Sequence, residues 1–557
     1  MHKCSSYINK SLLTLPLVLF SAAVLFSCGS SVSQDRENTS EVVPETPAED
    51  GADASLSYIT SDRCRRGVDS AMPAVSTMYV DSLPESYGDV SRITAYASDN
   101  DGLPYDLQAV KIRTRKTFRF YLPASVNAEA LIVRALHSDG VESGAYTLDL
   151  THGGCDVKAF GSEYTVSAEQ SSLTALFIET DMNHGTTAAM DSSQNHSVYN
   201  YGDMTLVVPK NLADERGWET EYVSRENDPS SPCTMKMRGR GNWTWAQSKK
   251  PYQLTLEKKT SLLGMGKAKN YLLLANVMDA SLLRDQVFYD LAADMGLACS
   301  PDIEPVDLYL NGVYRGSYSL SEKIEVGESR VDIDPERDFL IELDHYYFNE
   351  EYTVKTKHGY NFTMHNRTDS ESREELSKIM NKIESAVYND KSNAFLDYID
   401  LDSWVRYWWI QDLSKNNDSF IGSNFFYYVA DEGKLYAGPI WDMDNTLGIW
   451  GGDYNLRTKG WHCAERGWLG ALYKNKTFRR ALEDYYNSDG GRELFYSLPD
   501  KIDAYADYIR AAWEMNDEVV GTQYFVDIDC DSFEDDIAYM KKFIYERLAF
   551  YDGKLVR

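Results

Sequence analysis

Two acidic residues stand one residue apart at the centre of the segment Gly438-Pro439-Ile440-Trp441-Asp442-Met443-Asp444-Asn445-Thr446-Leu447-Gly448. The preceding residues predict a strand, so both carboxylates follow a strand end. Carboxylates in that position can hold Mg²⁺, a hard cation that bridges carboxylate and phosphate oxygens. A solvated turn is the alternative, but it does not require flanking residues as heavy as Trp441 and Leu447. The segment therefore indicates metal-assisted phosphate chemistry, with Asp442 as a ligand and Asp444 as a second ligand or supporting acid.

A second acidic segment, Ser414-Lys415-Asn416-Asn417-Asp418-Ser419-Phe420, lies upstream and follows a predicted helix. Asp418 comes directly after that helix, and Asn424 follows in the same loop. One loop can thereby supply a catalytic base, Asp418, and a metal ligand, Asn424. A helix end rich in Asn and Asp would have the same composition without any chemistry, because these residues favour turns.

A third segment combines glycine with basic residues in Arg238-Gly239-Arg240-Gly241-Asn242, followed by Lys249-Lys250-Pro251. The glycine-containing loop brings backbone N–H groups and two arginines close together, and Lys250 stands where the next predicted strand begins. Such a loop is suited to bind a phosphate group. A tight turn on a basic surface loop would also explain it, so the Gly-x-Gly spacing alone is weak support.

Taken together and in their order along the chain, the three segments resemble the spore-coat protein H (CotH) kinase family. The resemblance covers roughly residues 170 to 490, and further matching stretches are Ser261-Leu262-Leu263-Gly264-Met265, Leu273-Leu274-Ala275-Asn276, Val306-Asp307-Leu308-Tyr309-Leu310-Asn311-Gly312 and Leu340-Ile341-Glu342-Leu343-Asp344. The resemblance implies an atypical protein-kinase-like fold with two lobes. It also implies transfer of the γ-phosphoryl group of ATP to serine hydroxyls of a protein partner, with Mg²⁺ as the cofactor.

Carried over position by position, the resemblance gives each candidate residue a role. Asp418 is the aspartate that orients or deprotonates the attacking hydroxyl. Asn424 and Asp442 hold Mg²⁺ against the phosphates, and Asp444 is a second metal ligand or a supporting acid. Lys250 and the loop from Arg238 to Asn242 neutralise and position those phosphates.

The chain departs from ordinary protein kinases in several features. It has no His-Arg-Asp triplet and no Asp-Phe-Gly, because Met-Asp follows Asp442. The predicted helix Ser281–Met295 offers no Glu to pair with Lys250, since its acids are Asp285, Asp290 and Asp294. We therefore expect Arg284, in that helix, to serve the phosphate side of the site.

The composition and the order of predicted elements give the domain organisation. The chain has 557 residues, with 56 Lys and Arg against 86 Asp and Glu and a net charge of −30. A surface this negative repels polyphosphate, which argues against nucleic acid as a partner. Short β-rich runs separated by turn signals predict a β-sandwich domain over residues 57–157. Strands followed mostly by helices predict an α+β domain over 158–557, with an N-lobe over about 158–330 and a C-lobe over about 331–557.

The N-terminal residues predict export. Residues 1–27 place two lysines before an apolar run, which is typical of a signal peptide. The following Cys28-Gly29 resembles the end of a bacterial lipobox, so we expect Cys28 to be the lipidated N-terminus. Residues 28–56 are acidic and rich in Ser and Pro, as in a flexible tether. We expect an extracytoplasmic lipoprotein of the cell envelope, with the outer membrane favoured because Gly29 is not acidic.

Other interpretations compete with the kinase. Asp442-Met443-Asp444 also resembles the first motif of the haloacid-dehalogenase phosphatases, although Pro439 interrupts the strand that should precede it. The acidic run Asp527–Asp531 lacks the glycine and glutamate of an EF-hand. An exported protein meets little ATP, so an inactive kinase-like lipoprotein that binds a nucleotide, glycan or protein is the main alternative. The aromatic residues within 404–409 have helical spacing, which predicts a core rather than a binding surface.

Overall fold

The computed structural model describes residues 90–112, 116–181, 186–223, 234–450, 452–488, 490–521 and 530–556. All of these residues belong to one unit, Tyr58–Arg557. The predicted signal peptide, Cys28 and the tether lie outside the described residues, as do the first part of the predicted β-sandwich and most of the run Asp527–Asp531.

Eight strands in two sheets make up the first described region. In chain order they are β1 Val90–Ala95, β2 Leu107–Gln108, β3 Val110–Lys111, β4 Thr117–Leu122, β5 Leu131–His137, β6 Tyr146–Leu148, β7 Cys155–Ala159 and β8 Ser162–Gln170. One sheet has the order β2-β1-β5-β6 and the other the order β3-β4-β8-β7. In β5, Leu131, Val133 and Ala135 are buried and alternate with less buried residues, as the two-residue period of a strand requires. Buried residues of both sheets belong to one hydrophobic core.

Strand β8 of this region lies wholly after residue 157, where the sequence predicted the domain to end. Strand β8 pairs in parallel with β4, with Thr165 opposite Thr117, and antiparallel with β7. A pairing between strands so far apart in sequence leaves no local signal at the boundary. The region therefore ends between Gln170 and the start of the next strand at Thr174.

The second region is built around an eight-stranded sheet. Its elements are β9 Thr174–Thr180, α1 Thr187–Asp191, β10 Tyr199–Val207, α2 Lys210–Arg216, β11 Glu221–Val223, β12 Met235–Gly239, β13 Tyr252–Ser261, β14 Lys267–Leu274, α3 Arg284–Asp294, β15 Ile303–Leu310 and β16 Val313–Glu322. The strand order is β11-β10-β12-β13-β14-β16-β15-β9, and β9 also pairs with β10. This extra pairing closes seven of the strands into a barrel. Leu206, Leu254 and Leu308, from three of these strands, belong to one buried cluster.

A five-stranded sheet and most of the helices make up the third region. Its elements are β17 Phe339–Leu343, β18 Thr353–Lys355, β19 Asn361–Met364, α4 Ser370–Val387, α5 Leu401–Ser414, β20 Asn424–Val429, β21 Lys434–Ala437, α6 Gly452–Leu456, α7 Gly467–Lys474, α8 Lys476–Tyr486, α9 Gly491–Val520 and α10 Phe533–Leu555. The sheet order is β18-β19-β17-β20-β21. The long helix α9 contacts the barrel strand β16 and helices α3 and α10, so it connects the second and third regions.

Helix α5 leads directly into the candidate catalytic loop, and its ends are well defined. The Asp400 carboxylate accepts a hydrogen bond from the Ser403 N–H at 2.8 Å, which caps the first turn. Lys415 ends the helix in a left-handed conformation with φ of 48°. Buried aromatic side chains anchor the helix in the core, namely Trp404, Tyr407, Trp408 and Trp409. The predicted core role of these aromatic residues is confirmed.

The mixed strand and helix content confirms the α+β class. The predicted helix Ser281–Met295 corresponds to α3, which is slightly shorter. None of the helices in the described part of the chain combines the length and apolar character needed to span a bilayer.

Candidate active site

A cleft of about 730 Å³ lies between the barrel and the helical region. Its wall is formed by the loop after β12, by α3, by the loop after α5 and by the segment after β21. Small-molecule sites occupy about 300–1,000 Å³, so the cleft has room for a nucleotide. The predicted site residues that line it are Arg238, Arg240, Gly241, Asn242, Asp418, Asp442 and Asp444.

The loop after β12 is shaped by its two glycines. A Cβ on Gly239 would lie 2.2 Å from the ring of Trp245, so only glycine allows that ring to pack here. Gly241 has φ of +87°, a backbone conformation that side chains other than glycine rarely adopt. This turn brings Arg240 into the cleft, with its guanidinium 5.5 Å from the ring centroid of Trp441.

Asp442 and Asp444 form the acidic wall of the cleft. Asp442 adopts a left-handed conformation with φ of 59°, which is uncommon for a residue other than glycine. Burial raises the pKa of Asp442, while Arg240 and a hydrogen bond from Ser423 oppose the rise. Burial raises the pKa of Asp444 well above its usual value, and the nearby carboxylates of Asp442 and Asp285 raise it further. The cleft therefore concentrates negative charge that the protein compensates only in part.

Asp418 also lines the cleft, in the loop after α5. Its N–H donates to Asn416 Oδ1 at 2.9 Å, which fixes the turn. Burial and the charge of Asp442 raise the pKa of Asp418 to about 6, against a hydrogen bond from the Asn445 side chain. A carboxylate with this pKa is largely ionised at neutral pH and can accept a proton, as a general base must.

Arg466 stabilises the same loop through contacts with its backbone. Its Nη1 donates to the carbonyl oxygen of Asn417 at 2.8 Å and contacts that of Ser419 at 3.4 Å. Its positive charge also opposes the rise in the pKa of Asp418. Arg466 thus holds the catalytic loop in place and helps to keep Asp418 ionised.

Asp285 is a site residue that the sequence did not identify. It lies in the first turn of α3, is 7% exposed and accepts a hydrogen bond from the Met443 N–H at 2.8 Å. Burial, with the charge of Asp442, raises the pKa of Asp285 to about 7. The acid was visible in the predicted helix, but its contact with a segment 158 residues away was not. Ser423 and Asn445, which donate to the two key aspartates, were also missed.

The acidic side chains of the cleft are suited to share a Mg²⁺ ion with phosphate. Among the described residues, no group of three or more His, Cys, Asp or Glu side chains has the arrangement needed to hold a metal ion alone. Mg²⁺ bound with a nucleotide usually needs only one or two carboxylates, because phosphates and waters complete its shell. Asp442 and Asp444 meet that requirement, and the buried Oδ1 of Asn445 beside them has no hydrogen-bond partner. The residues present therefore fit a magnesium ion shared with phosphate.

Residues 237–551 match a protein-family model described as CotH kinase protein. The match covers more than half of the chain. This chain belongs to the CotH kinase family. The matched residues include every predicted site residue from Arg238 to Asp444. None of the curated proteins compared with the chain matches it.

Asn424 does not offer a free ligand atom in this CotH kinase domain. Its Oδ1 accepts hydrogen bonds from the Tyr407 hydroxyl and from the Phe420 N–H, the latter at 3.3 Å. Its Nδ2 donates to the carbonyl oxygens of Asp418, at 2.8 Å, and of Gly422. Because the amide is fully engaged, Asn424 closes the loop around Asp418 instead of facing the cleft, which corrects its predicted role as a metal ligand.

Lys250 also lies elsewhere than the CotH resemblance implied. Its Nζ donates to the carbonyl oxygen of Trp245 and lies 5.0 Å from the ring centroid of the same residue. Lys250 is not among the residues that line the cleft, whereas Arg238 and Arg240 are. In this structure the lysine therefore stabilises the loop, and the arginines supply the positive charge in the cleft.

Arg284 forms part of the core, which corrects the expectation that it contacts phosphate. It is 0% exposed and pairs with Asp279 and with Asp536 of α10, 2.7 Å from Nη2 to Oδ1. These two carboxylates pair with the positive charge of the guanidinium. Arg284 therefore ties the start of α3 to α10 and does not reach the cleft.

Proposed function

We propose that this chain is an exported CotH-type kinase that uses Mg²⁺ and ATP to phosphorylate serine hydroxyls of an extracytoplasmic protein. The observation that carries the proposal is that Arg240, Asp418 and Asp442, from three separate segments, line one cleft. Phosphoryl transfer requires positive charge at the phosphate, a metal ligand and an acceptor for the hydroxyl proton. Each of these requirements has one candidate residue in the cleft.

We also infer a two-lobed, kinase-like layout. The barrel with α3 corresponds to an N-lobe, and the region from β17 onward corresponds to a C-lobe. This division is supported by the cleft, to which the first group contributes Arg240 and the second contributes Asp418 and Asp442. The two sheets of strands β1–β8 correspond to the β-sandwich in front of these lobes.

In the reaction that we propose, the serine oxygen attacks the γ-phosphorus of ATP. The bond from that phosphorus to the oxygen that bridges it to the β-phosphate breaks, and ADP leaves. The hydroxyl proton passes to the Asp418 carboxylate. Arg240 binds the phosphate oxygens, and Asn445 and Arg466 hold Asp418 in position.

Asp442 and Asp444 would hold Mg²⁺ in this proposal. The ion, when bound, supplies positive charge that neutralises the phosphate oxygens. Asp285 fixes the backbone at Met443 between the two ligands through its hydrogen bond. This contact keeps both carboxylates directed into the cleft and joins α3 to the metal segment.

We further propose that Cys28 carries a lipid and that residues 28–56 act as a tether. The apolar run before Cys28 and the acidic, Ser- and Pro-rich composition after it support this part of the proposal. A protein anchored in this way, with the outer membrane favoured, would meet its protein substrate outside the cytoplasm.

The test uses the purified protein with Mg²⁺, ATP labelled in its γ-phosphate and a Ser-rich protein acceptor. Asp418→Asn should lower the transfer of label by about 10²–10⁴-fold, because it removes the proton acceptor but keeps the side-chain size. Asp402→Asn is the matched control, since this exposed acid lies at the start of α5, and it should transfer label like the wild type. Equal transfer by Asp418→Asn and the wild type would contradict the assignment of the base.

A second candidate is a domain that binds Mg²⁺-ATP without transferring phosphate. The engaged amide of Asn424 and the position of Lys250 outside the cleft favour it, because both residues were expected to contact the nucleotide complex. In this case nucleotide would raise the melting temperature of the protein, but no label would reach any acceptor. That result would reject the transfer step and keep the binding site.

A further inference from the structure

A second cavity of about 340 Å³ lies on another side of α3. It is lined by β15, α3, α9 and the loops that carry Trp218 and Gly264. The described residues that line it are all different from those that line the cleft. The nearest connection is α3, in which Asp285 faces the cleft and the next residue, Gln286, faces the second cavity.

The charges in this cavity are not balanced. Three carboxylates line it, Asp290, Asp302 and Glu304, whereas Arg216 is the one cation among its described lining residues. Burial is the main cause of a raised pKa at all three acids, to about 7 for Glu304. Lys501 and Arg330, which lie outside the lining, partly offset the charges of Asp290 and Asp302. Glu304 is the buried one of the three acids, and removing a carboxylate from water without a directly bonded cation costs free energy, so the cavity favours an added positive charge.

Two hydrogen-bond acceptors in the cavity wall have no donor among the described residues, and one of them, on Gln286, is a buried atom. Glu304 is 5% exposed, and its Oε1 accepts from the Tyr508 hydroxyl at 2.8 Å. No residue in the described ranges donates to the other oxygen, Oε2. Gln286 Nε2 donates to Asp290 at 2.8 Å, which orients the amide, and its buried Oε1 has no partner. A ligand with several N–H donors would satisfy both acceptors.

We propose that this cavity binds an organic ammonium group, from a small diamine or from a lysine side chain of a partner. The apolar part of the cavity wall favours an organic cation over a metal ion. Ile303, Pro305 and Leu283 supply apolar wall for the methylene carbons of such a ligand. The cavity volume is at the small end of ligand sites, about 300–1,000 Å³.

The experiment measures binding to the full chain by calorimetry, with 1,4-diaminobutane and with Nα-acetyl-lysine amide as probes. We expect saturable binding of at least one probe. Glu304→Gln should weaken it about tenfold or more, because a charged hydrogen bond is lost while the Tyr508 contact is kept. Glu371→Gln, which removes an exposed charge from α4, should bind like the wild type. Asp302→Asn provides a second variant if Glu304→Gln does not fold.

A control separates this cavity from the acidic cleft. Asp444→Asn changes only the cleft and should leave amine binding unchanged. Binding that is lost in Asp444→Asn but kept in Glu304→Gln and Asp302→Asn would overturn the proposal, as would no binding of either probe. Binding of the diamine alone would identify a free amine as the ligand, and binding of the lysine derivative would identify a partner side chain. Because the readout is amine binding, it is independent of whether the cleft transfers phosphate.

Discussion

Arg284 and Arg240 are both surrounded by aspartates, but the two groups differ in how completely their charges are matched. Arg284 is 0% exposed and donates to both oxygens of Asp536, at 3.0 and 2.7 Å, and also to Asp279. Asp279 in turn accepts from the Arg284 N–H at 2.7 Å and from Ser281. Each charged group in this network has direct partners, and the network joins two helices.

The group around Arg240 has a surplus of acids. Four aspartates of the cleft, Asp285, Asp418, Asp442 and Asp444, have a raised pKa because of burial, and the charge of Asp442 raises the pKa of the other three further. Arg240 opposes the rise at Asp442 and at Asp285. Strongly perturbed acids in a cleft are typical of functional sites. Matched buried charges therefore stabilise the fold here, whereas the unmatched charges of the cleft can bind a ligand.

The largest effect should come from removing Arg284. Arg284→Met leaves two buried carboxylates without a partner, and we expect it to lower the free energy of unfolding by about 3–5 kcal/mol. Arg240→Met is the matched variant, and it should cost less than about 1 kcal/mol because the cleft acids can take up protons or water. Urea denaturation at pH 7 measures both. Equal losses in the two variants would show that the contrast between the groups is wrong.

The pH dependence of stability should separate the two groups further. The pKa of Asp285 is about 7 in the folded protein, above its usual value. The stability that the protonated acid gives the fold is therefore present at low pH and is lost as pH rises from about 4 to 7. Asp285→Asn should therefore be more stable than the wild type above pH 7, by on the order of 2 kcal/mol, and equal to it near pH 4.

Thermal denaturation in the presence of a chelator measures this difference across the pH range. Using the difference between variant and wild type removes the contributions of other groups, such as Lys249, whose pKa is lowered to about 7 by burial. Asp279→Asn is the contrasting variant in the matched network. Asp279→Asn should be less stable than the wild type at neutral pH. If it were more stable at that pH, the contrast between the Arg284 and Arg240 groups would be wrong.

Binding of Mg²⁺-ATP should depend on the unmatched acids. Asp442→Asn removes a proposed metal ligand, and we expect the dissociation constant to rise about tenfold or more, which corresponds to about 1.4 kcal/mol. Isothermal calorimetry with Mg²⁺-ATP measures the change, and the exposed acid variant Asp402→Asn serves as the control. Unchanged affinity in Asp442→Asn would exclude this residue from the metal site.

The parts of the site that could be predicted are those whose signals are local. The loop from Arg238 to Asn242 contains the glycines that its turn requires, and Asp442 and Asp444 lie a few residues after β21. Asp418 follows the end of α5, which Lys415 marks by its left-handed conformation. For these residues, the position in the chain and the position in the site are set by the same short segment.

The parts that could not be predicted depend on partners far away in the sequence. Arg284 pairs with Asp536, 252 residues away, so a residue that resembled a phosphate ligand belongs to the core. Asn424 is engaged by Tyr407 of α5. The fold shows the same limit. Apolar periodicity within a short segment predicts a helix, whereas closure of the barrel depends on β9 pairing with both β10 and β15. Single-sequence patterns do not encode which distant segment fills such a position.

The smallest effect should come from a matched acid at the surface, Asp552. It accepts hydrogen bonds from Arg492, Tyr486 and Tyr496, at 2.6–2.8 Å, and the Arg492 contact lowers the pKa of Asp552 to about 2. Since the pKa of Asp552 in the folded protein is below the usual value, its contribution to the free energy of unfolding is present above about pH 4. That contribution is lost as pH falls toward 2. Solvent screens most of the charge of this carboxylate, so Asp552→Asn should cost less than about 1 kcal/mol at pH 7 and nothing measurable near pH 2.

Urea denaturation between pH 7 and pH 3 should show the stability difference between Asp552→Asn and the wild type shrinking as the acid titrates. This pH dependence has the opposite sign to that of Asp285. A loss as large as that of Arg284→Met would mean that matching alone, without burial, determines how much an ion pair stabilises the fold.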